Sequence, residues 1–303
     1  MKIIIYLTLS ITLLLATSKQ YTNCTFQTEQ YIGVCERAVK KGVSYEYANR
    51  FLLSFKASKR DFKSLKLFSP KKIATHRENE KRANNTLVKH VPEIVKHLKR
   101  YKTVYDHAEA KYGVNREVVA AILMKETRLG KIKPSHDAFI VFNTLLTELD
   151  PVSSRDHRLV RMAENNLLAI MEYCYAKKIR PNQCSFDSSY AGAVGIPQFM
   201  PQNFGHIEGY KKKTGSLSKM EDAIVSTSRF LHYNAKFKEM IEWSKIPTME
   251  KVEEDWYDYD LEHDNASFAY AKSKKSGRRL KCFTCQDPDL AYLNDYVKKI
   301  MKY

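Results

Sequence analysis

The chain has 303 residues, 44% of them hydrophobic, and a formal charge of +17. That hydrophobic content excludes extensive disorder, and the length suffices for one large domain or two modest ones. The charge favours an anionic partner: nucleic acid, acidic lipid or an acidic polymer of a cell wall. At the start, residues 1–18 read as an export signal. Lys2 is the positive start, residues 3–15 form the apolar core, and Ala16-Thr17-Ser18 is a small-x-small cleavage site. The apolar run falls short of the roughly 20 residues a membrane span requires. No cysteine follows it directly to carry a lipid. The expectation is an exported protein without stable membrane insertion, and export argues against a nucleic-acid partner.

After the signal the chain reads as mostly helical. Residues 30–41 and 44–57 have helical apolar spacing, with a turn at Lys41-Gly42. Ser69-Pro70 starts another segment, and residues 84–86 are polar and turn-like. Residues 92–112 read as one long amphipathic helix, with Pro92 in its first turn and Gly113 ending it. Asn115 is placed to cap the next helix, which runs to Gly130. Residues 138–149 and 156–178 continue the helical pattern. Ser218-Lys219-Met220-Glu221 has the form of a capping box opening a further helix. Alternating strand patterns arise late, at residues 256–260 and 266–271, and could form a short hairpin. Without repeats or long low-complexity linkers, these helices are expected to share one continuous core.

Six cysteines follow the signal in local couples: Cys24 with Cys35, Cys174 with Cys184, and Cys282 with Cys285. An even count in an exported chain favours disulfides over metal, although spacing alone does not give the pairing. Cys282-Phe283-Thr284-Cys285 lacks the second half of a zinc site, so no metal or other cofactor is expected.

Two stretches carry chemistry. In Met124-Lys125-Glu126-Thr127-Arg128-Leu129-Gly130, Glu126 shares a helical face with Val119, Ile122 and Leu123. A carboxyl on an apolar face resists ionisation, which suits a general acid working near neutral pH. The alternative is an ordinary helix-end glutamate paired with Lys125 or Arg128. The second stretch runs Ser188-Ser189-Tyr190-Ala191-Gly192-Ala193-Val194-Gly195-Ile196-Pro197-Gln198-Phe199-Met200-Pro201-Gln202-Asn203-Phe204. Its small residues permit close approach of backbone to a ligand. Tyr190, Phe199 and Phe204 supply flat faces, and Gln198 and Asn203 can each donate and accept, a combination suited to sugars. A tightly packed loop with its aromatics in the core would use the same residues.

Together these stretches, with Tyr112-Gly113-Val114 upstream, resemble the B-type lytic murein transglycosylases in identity, order and spacing. The resemblance is clearest over residues 112–237. It implies a mainly α, lysozyme-like catalytic domain with additional helices, acting on the β-1,4 bond between N-acetylmuramic acid and N-acetylglucosamine. Its partner would be peptidoglycan glycan strands, whose stem-peptide carboxylates suit a basic surface. It further implies an N-terminal helical region over 19–90, a catalytic core over 91–250, and the C-terminal part of the cleft over 251–303.

By the same resemblance Glu126 would protonate the departing oxygen. It would then act as base on the C6 hydroxyl, closing the ring to 1,6-anhydromuramic acid. The N-acetyl carbonyl would stabilise C1 meanwhile. Most glycosidases use two carboxylates, yet residues 188–206 contain neither Asp nor Glu, and Asp187 at their edge is the nearest candidate. Ser189 matches a serine orienting the N-acetyl group. Gln198 matches a cleft-lining glutamine, with Phe199 and Tyr190 beside it. Thr127 and Arg128 read as structural; Trp256 and Tyr257 could stack on sugar or pack. Members typically carry a late Tyr-Asn motif followed by more helix. Here Tyr303 matches the tyrosine and the chain then stops, so a truncated C-terminus is expected. Two rivals are a muramidase with the same cleft and a catalytically impaired murein-binding protein.

Overall fold

The computed structural model describes residues 24–72, 87–234, 240, 259–263, 268–273, 279–283 and 300. The signal, Trp256, Tyr257, Cys285 and Tyr303 lie outside these residues. Nine α-helices stand among those described: α1 Gln30–Lys40, α2 Tyr45–Leu52, α3 Phe62–Leu67, α4 Val91–Arg100, α5 Lys102–Tyr112, α6 Arg116–Thr127, α7 Ala138–Glu148, α8 Ser154–Ala176 and α9 Met220–Asn234. Two short strands, β1 His136–Asp137 and β2 Asp187–Ser188, pair antiparallel. A second sheet holds β3 Tyr259–His263, β4 Phe268–Ser273 and β5 Arg279–Phe283 in the order β3-β4-β5. The expected hairpin is thus the first two strands of a three-stranded sheet, and the third begins at Arg279.

The expected helix over residues 92–112 is two helices. Tyr101 (φ −105°, ψ 24°) closes α4 and opens α5. Apolar spacing is unbroken across it because both helices bury the same side: Val91, Ile94 and His97 on one, Val104, Tyr105, Ala108 and Tyr112 on the other. Likewise α2 stops at Leu52 and a 3-10 turn, Phe55–Ser58, replaces its expected continuation. Asp61, Asp137 and Ser153 cap α3, α7 and α8 by accepting the N–H of Ser64, Ile140 and Asp156, the usual remedy for unpaired donors at a helix start. Two of the cysteine couples are disulfides, Cys24–Cys35 and Cys174–Cys184, each with 5.9 Å between Cα atoms.

The single core expected from the sequence is two clusters. One gathers α1, α2, α7 and α8 with Val194, Phe199, Phe204 and Leu217. The other gathers α4, α5, α6 and α9 with Ile300. Phe230 of α9 packs against both, and the 3-10 turn Pro201–His206 touches both α8 and α9. The described residues therefore form two packed lobes, and the segment from β2 to α9 runs along their seam. Within the first lobe α1 packs on α8 and α3 on α7.

Burial in the second lobe has a pH consequence. His97 is 8% exposed and its Nε2 lies 3.0 Å from the Tyr105 hydroxyl. Burial, with Arg100 nearby, lowers its pKa from 6.5 to about 4. A histidine held neutral in the fold contributes stability that is fully present above the unfolded pKa. That contribution is lost as pH falls from 6.5 towards 4, by roughly 3 kcal/mol in all. Urea denaturation between pH 7 and 4 should show this loss, and a His97→Phe variant should show a shallower pH slope. Equal slopes in both proteins would remove His97 as the cause.

Candidate active site

Helix α6 ends where the two lobes meet. Val118, Val119, Ala120, Ala121, Leu123 and Met124 are buried, which commits the helix to the second lobe. At its end Arg128 (φ 49°), Leu129 (φ 55°) and Gly130 (φ 77°) are all left-handed. The stop expected at Gly130 thus comes earlier, at Arg128. Two successive non-glycine residues with positive φ are strained and persist only where their surroundings enforce them. The enforcing contacts are visible. The Arg128 N–H donates to the Met124 carbonyl at 2.9 Å and the Leu129 N–H to the Leu123 carbonyl at 3.0 Å. The Thr127 hydroxyl, 3% exposed, donates to the Ile196 carbonyl at 2.8 Å and accepts the Gly130 N–H at 3.1 Å.

Ile196 belongs to a tight loop. Val194 and Phe199 exchange N–H···O=C bonds of 2.8 and 3.0 Å, closing residues 195–198 into four residues with left-handed backbone at Gly195 (φ 73°) and Gln198 (φ 52°). The Ile196 N–H donates to the Leu217 carbonyl at 2.9 Å, so the loop is held from both sides. Upstream, the Ser189 N–H donates to the Ala193 carbonyl at 2.8 Å and the Gly192 N–H to the Ser189 carbonyl at 2.9 Å. Gly192 (φ +81°) lies against Phe142: a Cβ there would sit 2.3 Å from the Phe142 Cζ.

Glu126 precedes Thr127, its Cα about 3.8 Å away along the chain, so the threonine that grips the loop also fixes the carboxylate's base. Its side chain is exposed. The sequence reading on an apolar face is corrected in this respect. Val119 and Leu123 are buried while Glu126 is exposed.

The loop residues divide. Ser189, Tyr190 and Gln198 are half-buried. The Ser189 hydroxyl accepts the Ala193 N–H at 3.3 Å, and the Gln198 Nε2 donates to the Gly195 carbonyl at 2.8 Å. Each keeps unused hydrogen-bonding capacity, the serine a donor and the glutamine its carbonyl oxygen. Tyr190 has its ring 6.4 Å from that of Phe68. Phe199 is placed otherwise than expected: it is 4% exposed, with its ring 5.1 Å from Phe230. It belongs to the first lobe, packs on Phe230 and offers no open face to a ligand. Phe204, 5% exposed, stacks near Tyr173 and Phe186.

Thr127, read as structural, is the residue through which helix and loop communicate, and Leu217 is a loop anchor that sequence reading missed. Nothing in the residues around Leu217 marks it, because its role is made by a backbone carbonyl. The Lys211-Lys212-Lys213 cluster is partly spent within the fold. Lys212 Nζ lies 3.2 Å from the Asp222 carboxylate, which is 2% exposed and also accepts the N–H of Tyr210 and Ser216. Among the described residues, no group of three His, Cys, Asp or Glu could hold a metal. No described helix is long and apolar enough to cross a membrane.

Residues 27–281 match the family model of the transglycosylase SLT domain. No curated protein matches the chain. Among solved structures, Escherichia coli Slt35 in complex with bulgecin A aligns with a TM-score of 0.54 at 19% identity, covering 68% of this chain and 63% of that one. The chain thus spans less than two thirds of that relative. Pseudomonas aeruginosa SltB3 in complex with NAG-NAM-pentapeptide aligns at 0.58 and 14% identity, covering 89% and 76%. Catenated SltB1 from the same organism aligns at 0.60 and 15% identity, covering 92% and 98%. At these identities the structures speak for the mainly helical, lysozyme-like fold. With the family model covering most of the sequence, the chain belongs to the B-type lytic transglycosylase family.

Proposed function

We propose that the protein is an exported lytic transglycosylase. It cleaves the β-1,4 bond between N-acetylmuramic acid and N-acetylglucosamine in peptidoglycan, leaving 1,6-anhydromuramic acid. The observation that carries this reading is an exposed Glu126 carboxylate beside a rigidly held loop stretch, residues 188–206, without a second carboxylate. A hydrolase would want that second group to activate water or attack the sugar. Ring closure by the substrate's own hydroxyl does without it. Glu126 acts first as acid on the glycosidic oxygen and then as base on the C6 hydroxyl, while Ser189 and the Gln198 carbonyl orient the N-acetyl group and the sugar. Supporting the product assignment, SltB3 has also been crystallised with NAG-anhNAM-pentapeptide. Export is supported by the two disulfides, which persist in oxidising compartments.

The test is mass spectrometry of purified murein digested with the full chain. Anhydro-ended muropeptides are the expected products. Reducing ends would identify a muramidase, and absence of any product would identify a binding protein.

A further inference from the structure

Helix α9 carries two buried polar residues that are spent on a neighbouring loop. Asp222 and Ser226, one turn apart, are 2% and 0% exposed. A carboxylate buried this deeply is costly unless it is paired and hydrogen-bonded, and Asp222 is both. One oxygen accepts the Tyr210 N–H at 2.8 Å; the other accepts the Ser216 N–H at 2.9 Å and has Lys212 Nζ at 3.2 Å. Ser226 adds to the hold: its hydroxyl accepts the Glu208 N–H at 3.0 Å and donates to the Glu208 carbonyl at 3.2 Å. An acid in the first turn ordinarily serves its own helix start. The bonds of Asp222 reach twelve and six residues upstream instead.

The loop so held leads to the candidate site. It folds back tightly: a Cβ on Gly209 would lie 2.6 Å from the Thr214 carbonyl oxygen, and one on Gly215 2.4 Å from the Glu208 carbonyl carbon. Tyr210 packs on the second lobe, whereas Leu217, next after Ser216, is buried in the first. Leu217 passes the restraint on. Its carbonyl accepts the Ile196 N–H at 2.9 Å, and a Cβ on Gly195 would lie 2.3 Å from the Leu217 Cβ. The Ile196 carbonyl in turn takes the Thr127 hydroxyl at 2.8 Å, next to Glu126. Two braces therefore meet on one residue, Thr127 at its carbonyl and Asp222, through Leu217, at its N–H.

We propose that Asp222 is a positioning residue for the cleavage reaction. It sets where the Gln198 loop stands relative to Glu126, acting through Ser216, Leu217 and Ile196. The catalytic consequence rests on the transglycosylase reading above; the mechanical one does not.

Asp222→Asn keeps the volume and turns one accepting oxygen into a donor aimed at an N–H. With the full-length chain and purified glycan strands, the saturated rate of anhydro-end release should fall by about tenfold. The half-saturating strand concentration should stay within about twofold, since contacts along the rest of the strand are untouched. Tyr31→Phe is the control, because it removes a buried hydrogen bond to Asn143 in the first lobe and should keep the wild-type rate. Amide hydrogen exchange by NMR reads the restraint without turnover. The Ile196 N–H should exchange about tenfold faster in Asp222→Asn and at the wild-type rate in Tyr31→Phe. An Ile196 amide as protected as in the wild type, a comparable rate loss in Tyr31→Phe, or a loss confined to half-saturation would each overturn the proposal. If the wild-type chain releases no anhydro ends, the catalytic reading fails by itself, and Ile196 exchange still decides whether Asp222 holds the loop.

Discussion

Glu126→Gln is expected to lower the release of anhydro-ended muropeptides by about 10²- to 10⁴-fold, the usual share of positioned proton transfer. The side chain is exposed at the end of α6, and the substitution preserves its shape, so stability should stay within about 0.5 kcal/mol of wild type. A glutamine can still donate a hydrogen bond to the glycosidic oxygen, but it has no proton to give and no basic oxygen to take one from C6. Both halves of the reaction therefore suffer. Binding of peptidoglycan strands should change much less than turnover, because Thr127 and Leu217 hold the loop through the Ile196 backbone and the substitution leaves both in place. A glutamine variant that digests murein at the wild-type rate would end the assignment of Glu126 as acid and base.

Gly192→Ala is the second large effect, and it acts through packing. A methyl group would sit 2.3 Å from Phe142 Cζ and 2.5 Å from Cε2 on a backbone with φ +81°. Left-handed backbone costs a residue with a Cβ about 1–2 kcal/mol, and overpacking adds about 1–3 kcal/mol. An expected loss near 3 kcal/mol in urea denaturation follows. Phe142 cannot swing aside easily, being fully buried within the first lobe, so part of the strain will move the loop instead. Displacement of order 1 Å at a positioning residue can cost about 10²-fold in rate. Activity measured where the variant is still folded should therefore also fall. Gly33→Ala provides the contrast, since a Cβ there meets nothing within 4 Å and the residue lies inside α1. That change should be neutral or stabilising by about 0.5–1 kcal/mol. If Gly192→Ala cost no more than Gly33→Ala, the contact with Phe142 would not constrain the loop.

These two residues also show how unevenly the site could be read beforehand. The type and approximate limits of α6 through α9 follow from apolar spacing and punctuation at Gly113, Asn115 and Ser218–Glu221, because a helix of three or more turns repeats its signal. The break at Tyr101 leaves no such trace, since α4 and α5 bury one continuous face. Phe199 is the instructive miss. An aromatic in a glycine-rich stretch can serve a sugar or a core, and its burial depends on Phe230, which is distant in sequence. The exposure of Glu126 has a similar origin: helical periodicity assigns it a face, but where the last turn leaves the lobe depends on what packs beside it.

By itself the sequence determined the helical class, the even set of cysteines lying close in pairs along the chain, Glu126 as the residue to watch, and the glycine-rich stretch. Each is written in neighbouring residues, as periodicity, spacing or motif. Tertiary structure alone decided that the core is two clusters and that Thr127 clamps the helix end to the Ile196 carbonyl. It also decided that Phe199 is buried against Phe230, and that Lys59 and Asp187, far apart in sequence, line one cavity. The physical reason is common to all four. Local spacing says which side of an element is apolar, or which residues carry charge, but not which distant backbone or side chain will meet it.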